Sequence, residues 1–360
     1  MWVKNGMKGE SAASDDDVAS EILSHYSSAS DTTSVLEEGT GEQVDEQTAQ
    51  EETEDKLKQC IDNLMDKSSK TRLAALESLR QAFSSRLLDD FLTERRLTVS
   101  DCLERSLKKG SGEEQAAAAT VFALLCIQLG GGDEAEEGFK MLRPILTAIL
   151  IDSTASIAAR QSCARSLGMC CYVSAAEDGE SFTTLTMIHF MLSWVTMFSK
   201  NPPADPTSVT NGGSLCFCCS HLPKLQACLQ SSDVNYRIAV GETIALLVEL
   251  GRDLDEDFEV DDSESLCESL KSLATDGNKH RAKNDRRKQR SIFREVLHYI
   301  ENEDFTEEKI RFGVENVYID GWMRRRIYDA FKEILESGVR HHLQNDVVRG
   351  KKSFPPALVQ

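Results

Sequence analysis

The cysteine-rich stretch from Cys216 to Cys219, followed by His221, has residue types that could bind a metal ion. Zinc motifs usually space paired ligands by two to four residues and place a second pair a dozen or more residues away. Here adjacent cysteines are followed only by a lone Cys228. Because this spacing fits a zinc motif poorly, the sequence predicts neither a metal site nor a bound cofactor.

Motifs of catalysis are equally missing from the sequence. There is no Gly-x-Ser-x-Gly elbow, no glycine-rich phosphate loop and no His-Glu-x-x-His. The pair His341-His342 lies beside a predicted helix end and forms no ligand pattern. We therefore expect a protein that is not an enzyme and has no small-molecule substrate.

The basic run over residues 279–290 holds seven Lys or Arg and one acid, in a chain whose net charge is -19. Such a run can neutralise the phosphates of RNA or act as a nuclear import signal. The alternative is a solvated helix face that pairs with the acidic N-terminal arm of the same chain. The candidate contact residues are Lys279, Arg281, Lys283, Arg286, Arg287, Lys288 and Arg290.

A second basic patch is formed by Arg324, Arg325 and Arg326 beside Trp322. An aromatic ring among cations suits stacking on nucleic-acid bases, but it equally suits a tryptophan of the hydrophobic core. These three arginines complete the set of candidate residues for binding a partner or nucleic acid.

The elements that must position these residues are helices in a repeating pattern. Arg72, Arg160 and Arg237 each follow a turn rich in Asp or Ser, and each begins a helix with small or apolar residues at the next third, fourth and seventh positions. With Gln115 as the anchor of an intervening helix, the intervals are 43 and 45 residues. This period is typical of stacked HEAT or armadillo hairpins. The alternative is a non-repetitive helical domain in which capping residues recur by chance.

Charge and composition divide the chain into segments. Residues 9–55 contain fifteen acids and no Lys or Arg, so this arm cannot bury enough apolar surface to fold. The sequence therefore predicts an all-α, armadillo/HEAT-like α-solenoid with a disordered acidic N-terminal arm and a small helical C-terminal domain. The predicted segments are an arm over 1–54, the repeats over 55–301 with a loop interruption over 200–230, a small domain over 302–344 and a disordered tail over 345–360.

No stretch reaches the roughly 18 to 20 apolar residues that a membrane span needs, and the N-terminus has no secretory core. The eleven cysteines are scattered through predicted helices, as expected of free thiols in a reducing compartment. We expect a protein of the nucleus and cytoplasm without a membrane partner.

The chain resembles the interferon-related developmental regulator family from about Ser14 onward. The motifs that carry the resemblance are Asp66–Arg72, Glu94–Thr98, Leu107–Gly110, Leu125–Gly130, Ala239–Leu247, Ala274–Lys283, Tyr318–Trp322 and His342–Gln344. The sequence departs from the family pattern in two places. One is a Pro/Gly stretch and cysteine cluster over 201–229, and the other is the region after Gln344, where the family continues into a longer basic tail.

The resemblance implies a non-enzymatic armadillo-like fold and a role in gene expression during differentiation. Family members act as transcriptional co-regulators beside corepressor complexes, or bind the ribosome and its rRNA and silence translation. We expect this chain to be a transcriptional co-regulator that recruits protein partners, with ribosome-dependent repression of translation as the alternative. The missing family tail is the part expected to enter a ribosomal channel.

Overall fold

The computed structural model describes residues 46–130, 133–174, 214–277, 281–312 and 315–344. Residues 1–45 of the predicted arm, residues 200–213 of the predicted loop interruption and the predicted tail over 345–360 lie outside these ranges. The helices of the first half are α1 (Glu46–Asn63), α2 (Ser69–Ser85), α3 (Asp89–Thr93), α4 (Arg96–Lys109), α5 (Gly112–Leu129), α6 (Asp133–Ile151) and α7 (Ile157–Ser174).

The second half contains helices and one hairpin. Its helices are α8 (Ser214–Cys228), α9 (Val234–Leu254), α10 (Ser263–Thr275), α11 (Lys283–Asn302), α12 (Trp322–Leu335) and α13 (Val339–Gln344). A hairpin of β1 (Glu308–Phe312) and β2 (Glu315–Ile319) lies between α11 and α12, and a short 3-10 turn, Glu336–Gly338, joins α12 to α13. In the part of the chain described, no helix is long and apolar enough to cross a membrane.

Helix pairs stack through their second members, as the repeat prediction requires. The pairs α4 with α5, α6 with α7, α8 with α9, and α10 with α11 are in contact, and so are the successive second helices α2, α5 and α7. The small and apolar residues predicted for the inner face are buried: Ala75, Leu76, Leu79, Cys163, Ala164, Leu167, Val240, Gly241 and Ile244. The structure therefore confirms the all-α solenoid.

The repeated anchor residue has a physical role at the end of the preceding helix. Arg72 donates to the carbonyl oxygens of Asp66 and Lys67 at 3.0 Å. Gln115 donates to Leu107 O at 2.9 Å, and Arg160 donates to Leu150 O at 3.2 Å. The last carbonyls of a helix have no partner within it, and Gln115 and Arg160 each satisfy one and so tie two helices together. Arg72 satisfies two carbonyls of the loop that follows α1.

Two later residues, Arg237 and Gln289, make contacts of the same kind. Arg237 donates to the carbonyl of Ser231 just before its own helix. Gln289 on α11 donates to Leu273 O, near the end of α10, at 3.2 Å. Gln289 also accepts a hydrogen bond from Arg237, so the anchors of α9 and α11 are joined. Sequence reasoning did not recognise Gln289 as an anchor, because it lies 52 residues after Arg237, outside the usual period.

The C-terminal segment packs across the second helices of the repeats. Helix α12 contacts α2, α5, α7 and α9, and its fully buried Phe331 ring meets the edge of Tyr172 on α7 at 6.0 Å. In α13, at the end of the segment, the His342 Nε2 atom lies 3.1 Å from Ser84 O on α2. Residues of the segment predicted as a small C-terminal domain share one hydrophobic core with the solenoid.

Three local features differ from the sequence-based expectation. Helix α1 begins at Glu46, within the region predicted to be disordered. Helix α8 occupies Ser214–Cys228, where a loop is predicted, and it accommodates Pro223 in its interior. The hairpin of β1 and β2 stands in a segment predicted to be helical; its residues Val317 and Ile319 alternate into the core.

Candidate functional site

Helix α11 is amphipathic along its length and positions the first predicted basic run. Phe293, Val296, Tyr299 and Ile300 are spaced three or four residues apart, so they lie on one face of the helix and are buried. The ring of Phe293 packs on α9 where Gly241 leaves space, since a Cβ at that glycine would lie 2.7 Å from the ring. This packing holds α11 in place and turns its other side outward.

The first half of α11 exposes a cluster that we call the basic face: Lys283, Arg286, Arg287, Lys288, Arg290 and Arg294. These side chains are exposed or half-buried. Among the residues that the structure describes, no carboxylate lies within 4.0 Å of any of these six cations. Salt bridges occur elsewhere on the surface, so within the described residues the basic face stands out as a concentration of cations without a salt-bridge partner in an acidic chain.

Arg281 belongs to the same basic run, but its side chain is engaged in contacts within the fold. Its Nη1 atom lies 2.9 Å from Asp276 Oδ2 and 3.1 Å from Gln289 Oε1. Gln289 is buried and also donates to that Asp276 oxygen at 3.2 Å. Arg281 therefore links Asp276, which follows α10, to Gln289 on α11. Lys279 lies outside the described residues.

The second predicted patch is engaged within the fold. Arg324 pairs with Asp320 and Arg325 pairs with Glu295, each at 2.7 Å, and Arg325 also lies over the rings of Phe305 and Trp322 at 4.8 and 5.4 Å. Trp322 is 3% exposed, so it belongs to the core.

Arg326 is the most deeply placed of the three arginines. It pairs with Glu333 at 3.3 Å, and burial lowers its pKa. The structure thus brings Arg324, Arg325 and Arg326 together on α12, but each of them forms a salt bridge with a nearby carboxylate.

A long-range cap explains how α12 begins. Both carboxylate oxygens of Glu249, on α9, accept from backbone N–H groups, from Trp322 at 2.6 Å and from Met323 at 3.2 Å. A Cβ at Gly321 would lie 2.7 Å from Glu249 Oε1, so a side chain at this position would require the Glu249 carboxylate to shift. Burial raises the pKa of Glu249 to about 7, although these two backbone bonds favour its charged form. No local sequence pattern indicates this cap, because the two partners are 73 residues apart.

A small pocket between α9 and α12 is lined with charges. Glu242, Arg325, Arg326 and Asp329 meet there beside Trp322. Burial raises the pKa of Glu242 to about 7, and Asp329 acts in the same direction, while Arg326, Arg325 and Lys288 oppose the shift. Within the described ranges, no group of three or more His, Cys, Asp or Glu is arranged to hold a metal ion. Burial raises the pKa of the Cys218 thiol to about 11, which disfavours its thiolate.

Replacing Glu242 with glutamine is expected to flatten the dependence of stability on pH. The folded pKa of Glu242 is about 7 and the unfolded one is near 4.5, so the folded state holds the extra proton between these values. The contribution is fully present below pH 4.5 and is lost as the pH rises through about 7. Urea unfolding at pH 5.5 and 7.5 should show a loss for the wild type that is about 1 to 2 kcal/mol larger than for the variant.

The matched control for this experiment is Glu256→Gln, at an exposed position after α9. We expect this control to follow the wild-type pH dependence. An equal pH dependence in the wild type and Glu242→Gln would contradict the prediction.

A second surface feature is a groove between α4, α5 and α6. Its floor includes Phe122 and Leu125, and Leu97 at its edge is 56% exposed. The ion pair of Arg96 and Glu134, at 3.4 Å, connects α4 to α6 beside it. This outer groove combines apolar area with charge on the described surface of the repeats.

Comparison with known proteins places the chain in a family. The model of the interferon-related developmental regulator family matches residues 22–301. Interferon-related developmental regulator 2 from mouse is 49% identical over 359 residues, which cover 92% of this chain and 81% of the relative.

Relatives of a second kind give a similar result. Interferon-related developmental regulator 1 from pig is 46% identical over 374 residues, and the human protein of that name is 45% identical over 366 residues. Each alignment covers 96% of this chain and 81% of the relative. The chain therefore belongs to the interferon-related developmental regulator family, which implies a role in differentiation and gene regulation.

Proposed function

We propose that this chain is a non-enzymatic scaffold that acts as a transcriptional co-regulator in the nucleus and cytoplasm. The helical repeats recruit protein partners such as corepressor complexes, and the basic face of α11 contacts phosphate groups or serves nuclear import. The observation that carries the proposal is the basic face itself. Its six cations have no carboxylate partner among the described residues, although the chain has a net charge of -19.

The packing of the C-terminal segment indicates which surfaces of the repeats a protein partner can reach. Because α12 and α13 cover parts of α2, α5, α7 and α9, a partner has less access to that side of the repeats. The outer groove and the basic face remain accessible. Exposed apolar side chains such as Leu97 are features that protein interfaces use.

The second candidate is a repressor of translation that binds ribosomes through their rRNA. The observation in its favour is the arrangement of the cations, which follow one helix for about three turns. A helix of this kind can contact successive phosphates of a nucleic acid. If all six cations make phosphate contacts, the logarithm of affinity should fall with the logarithm of salt concentration with a slope of roughly -4 to -5.

The test reverses three charges of the basic face together, as Arg286→Glu, Arg287→Glu and Lys288→Glu. The control reverses three exposed cations of the repeats, Lys67, Lys70 and Lys109, and changes the net charge equally. Localisation, recovery of nuclear partners and sedimentation with ribosomal subunits at low and high salt are then compared. We expect the basic-face variant to lose partner or ribosome association at least about tenfold, because phosphate contacts release counterions.

The outcomes separate the two candidates. Loss of nuclear partners without any ribosome association supports the co-regulator. Ribosome association that is released by salt and by the basic-face reversal supports translational repression. If the basic-face variant behaves as the control does in all three measurements, the role assigned to α11 is wrong.

A further inference from the structure

Ser291 lies within the basic face, between Arg287 and Lys288 around the helix. It directly follows Arg290 in α11, and its side chain is exposed. Residues three and four apart on a helix are neighbours, so Ser291 lies beside Arg287, Lys288 and Arg294. Its hydroxyl donates to Glu295 Oε1 at 3.5 Å, which is a weak contact at an exposed site. The hydroxyl is therefore accessible, with three cations and the Glu295 carboxylate as its neighbours on the helix.

The residues before Ser291 match the charge pattern that acidic substrate grooves of protein kinases select. Arg286, Arg287, Lys288 and Arg290 occupy four of the five preceding positions, and Asp285 is the nearest acid upstream. Kinases discriminate substrates by such charge patterns, because a wrong charge is repelled from the groove. The acceptor chemistry is that of a basophilic serine/threonine kinase.

A kinase needs its substrate segment to open, and the packing of α11 allows this in the helix's first half. Between Lys283 and Ser291, the only buried side chain is Gln289, which is held by polar contacts. The apolar anchor Phe293 comes only afterwards. Because little apolar surface is buried before Ser291, opening this half costs less free energy than opening the whole helix.

We propose that Ser291 is a phosphorylation site for a basophilic serine/threonine kinase and that its phosphorylation weakens the basic face. In the reaction, the Ser291 oxygen attacks the γ-phosphorus of Mg·ATP, the new O–P bond forms, and the bond to the β–γ bridging oxygen breaks. ADP leaves, and the hydroxyl proton passes to the kinase's catalytic base and then to solvent. The modification site stands on its own, whereas its effect rests on the proposed function of the basic face.

The effect follows from charge. A phosphoserine adds about -1.5 to -2 charges at neutral pH. Placed beside Arg287, Lys288 and Arg294, it offers these cations an internal partner and so removes about two of the six from external phosphates. The phosphate is also repelled by the Glu295 carboxylate. This repulsion is reduced because Glu295 pairs with Arg325 at 2.7 Å.

The experiment treats the full chain with Mg·ATP and the catalytic domain of a basophilic kinase, and peptide mass spectrometry locates the phosphate. Ser291→Ala is the blank, and the exposed Ser272 of α10, which lacks an upstream basic run, is the internal control. The affinity of a fluorescent uridine oligonucleotide is then measured by anisotropy before and after phosphorylation. We expect phosphate on Ser291, none on Ser272, and an affinity reduced about tenfold.

Each result decides one part of the proposal. If a peptide of residues 283–295 is phosphorylated but the full chain is not, the helix protects Ser291 and the site is refuted. If Ser291 is phosphorylated and affinity is unchanged, while the triple reversal of Arg286, Arg287 and Lys288 lowers it, the regulatory effect is refuted. If neither change alters affinity, the phosphate contact in the proposed function fails and only the modification site remains.

Discussion

Glu114→Ala is expected to lower the free energy of unfolding by about 3 kcal/mol. The Glu114 carboxylate is 1% exposed and binds Arg72 in a bidentate pair, with Nε–Oε1 at 2.7 Å and Nη2–Oε2 at 2.9 Å. It also accepts from Ser69 at 3.2 Å. Alanine would leave the Arg72 guanidinium, only 15% exposed, without its counter-charge and would break the link between α2 and α5. Denaturant unfolding measures the loss.

The matched control is Glu77→Ala, which removes a surface partner of Arg80. Glu77 is 58% exposed, so we expect a change below about 0.5 kcal/mol. Burial alone would raise the pKa of Glu114, but the hydrogen bonds from Arg72, Ser106 and Ser69 and the charge of Arg72 together outweigh burial, and the pKa lies below its usual value. The pair's stabilisation is therefore present above about pH 4.5 and is lost as the pH falls through the folded pKa. Equal losses for the two variants would show that the buried pair does not link the repeats.

Gly338→Ala is expected to displace the C-terminal turn from α2 and to lower stability by about 3 kcal/mol. An added Cβ would lie 1.7 Å from Ser84 O and 2.7 Å from the Ser84 carbonyl carbon. Both atoms belong to the backbone of α2, so no side chain can turn aside to make room. The displaced turn would carry away His342, which is fully buried beside Ser84 O.

Hydrogen exchange of α13, together with thermal unfolding, tests this prediction. The matched control is Gly277→Ala, because a Cβ at that loop position would meet no atom within 4 Å. We expect faster exchange in α13 for Gly338→Ala and unchanged exchange for the control. Unchanged exchange in both variants would mean that the contact between the turn and α2 contributes little to stability.

How far the sequence determines this protein can be judged from the anchors. Arg72, Arg160 and Arg237 are recognisable because their function is local: each donates to a carbonyl oxygen that lies at most ten residues before it. The inner-face residues are recognisable because helical periodicity alone decides which side chains share a face. For the same reason, the sequence predicts the basic run on a helix. The motifs shared with the family are also short and continuous, so they indicate the family directly.

Tertiary contacts decide the features that sequence reasoning missed. The strands of the hairpin are only five residues each, too short for alternation to be distinguished from helical periodicity. The cap by Glu249 joins residues 73 apart, and the anchor Gln289 depends on α10 and Arg237. None of these contacts leaves a local pattern, because distant residues complete them.

The two basic patches give the clearest division between sequence and tertiary structure. The sequence determined that Arg286-Arg287 and Arg325-Arg326 each lie on a helix, and locally the two pairs look alike. Folding brings Glu295 of α11 to Arg325 of α12, whereas it brings no carboxylate within 4.0 Å of Arg286 or Arg287 among the described residues. Charge composition follows from the sequence alone. Whether a charge is neutralised depends on which distant side chains packing places beside it, and only the tertiary structure decides that.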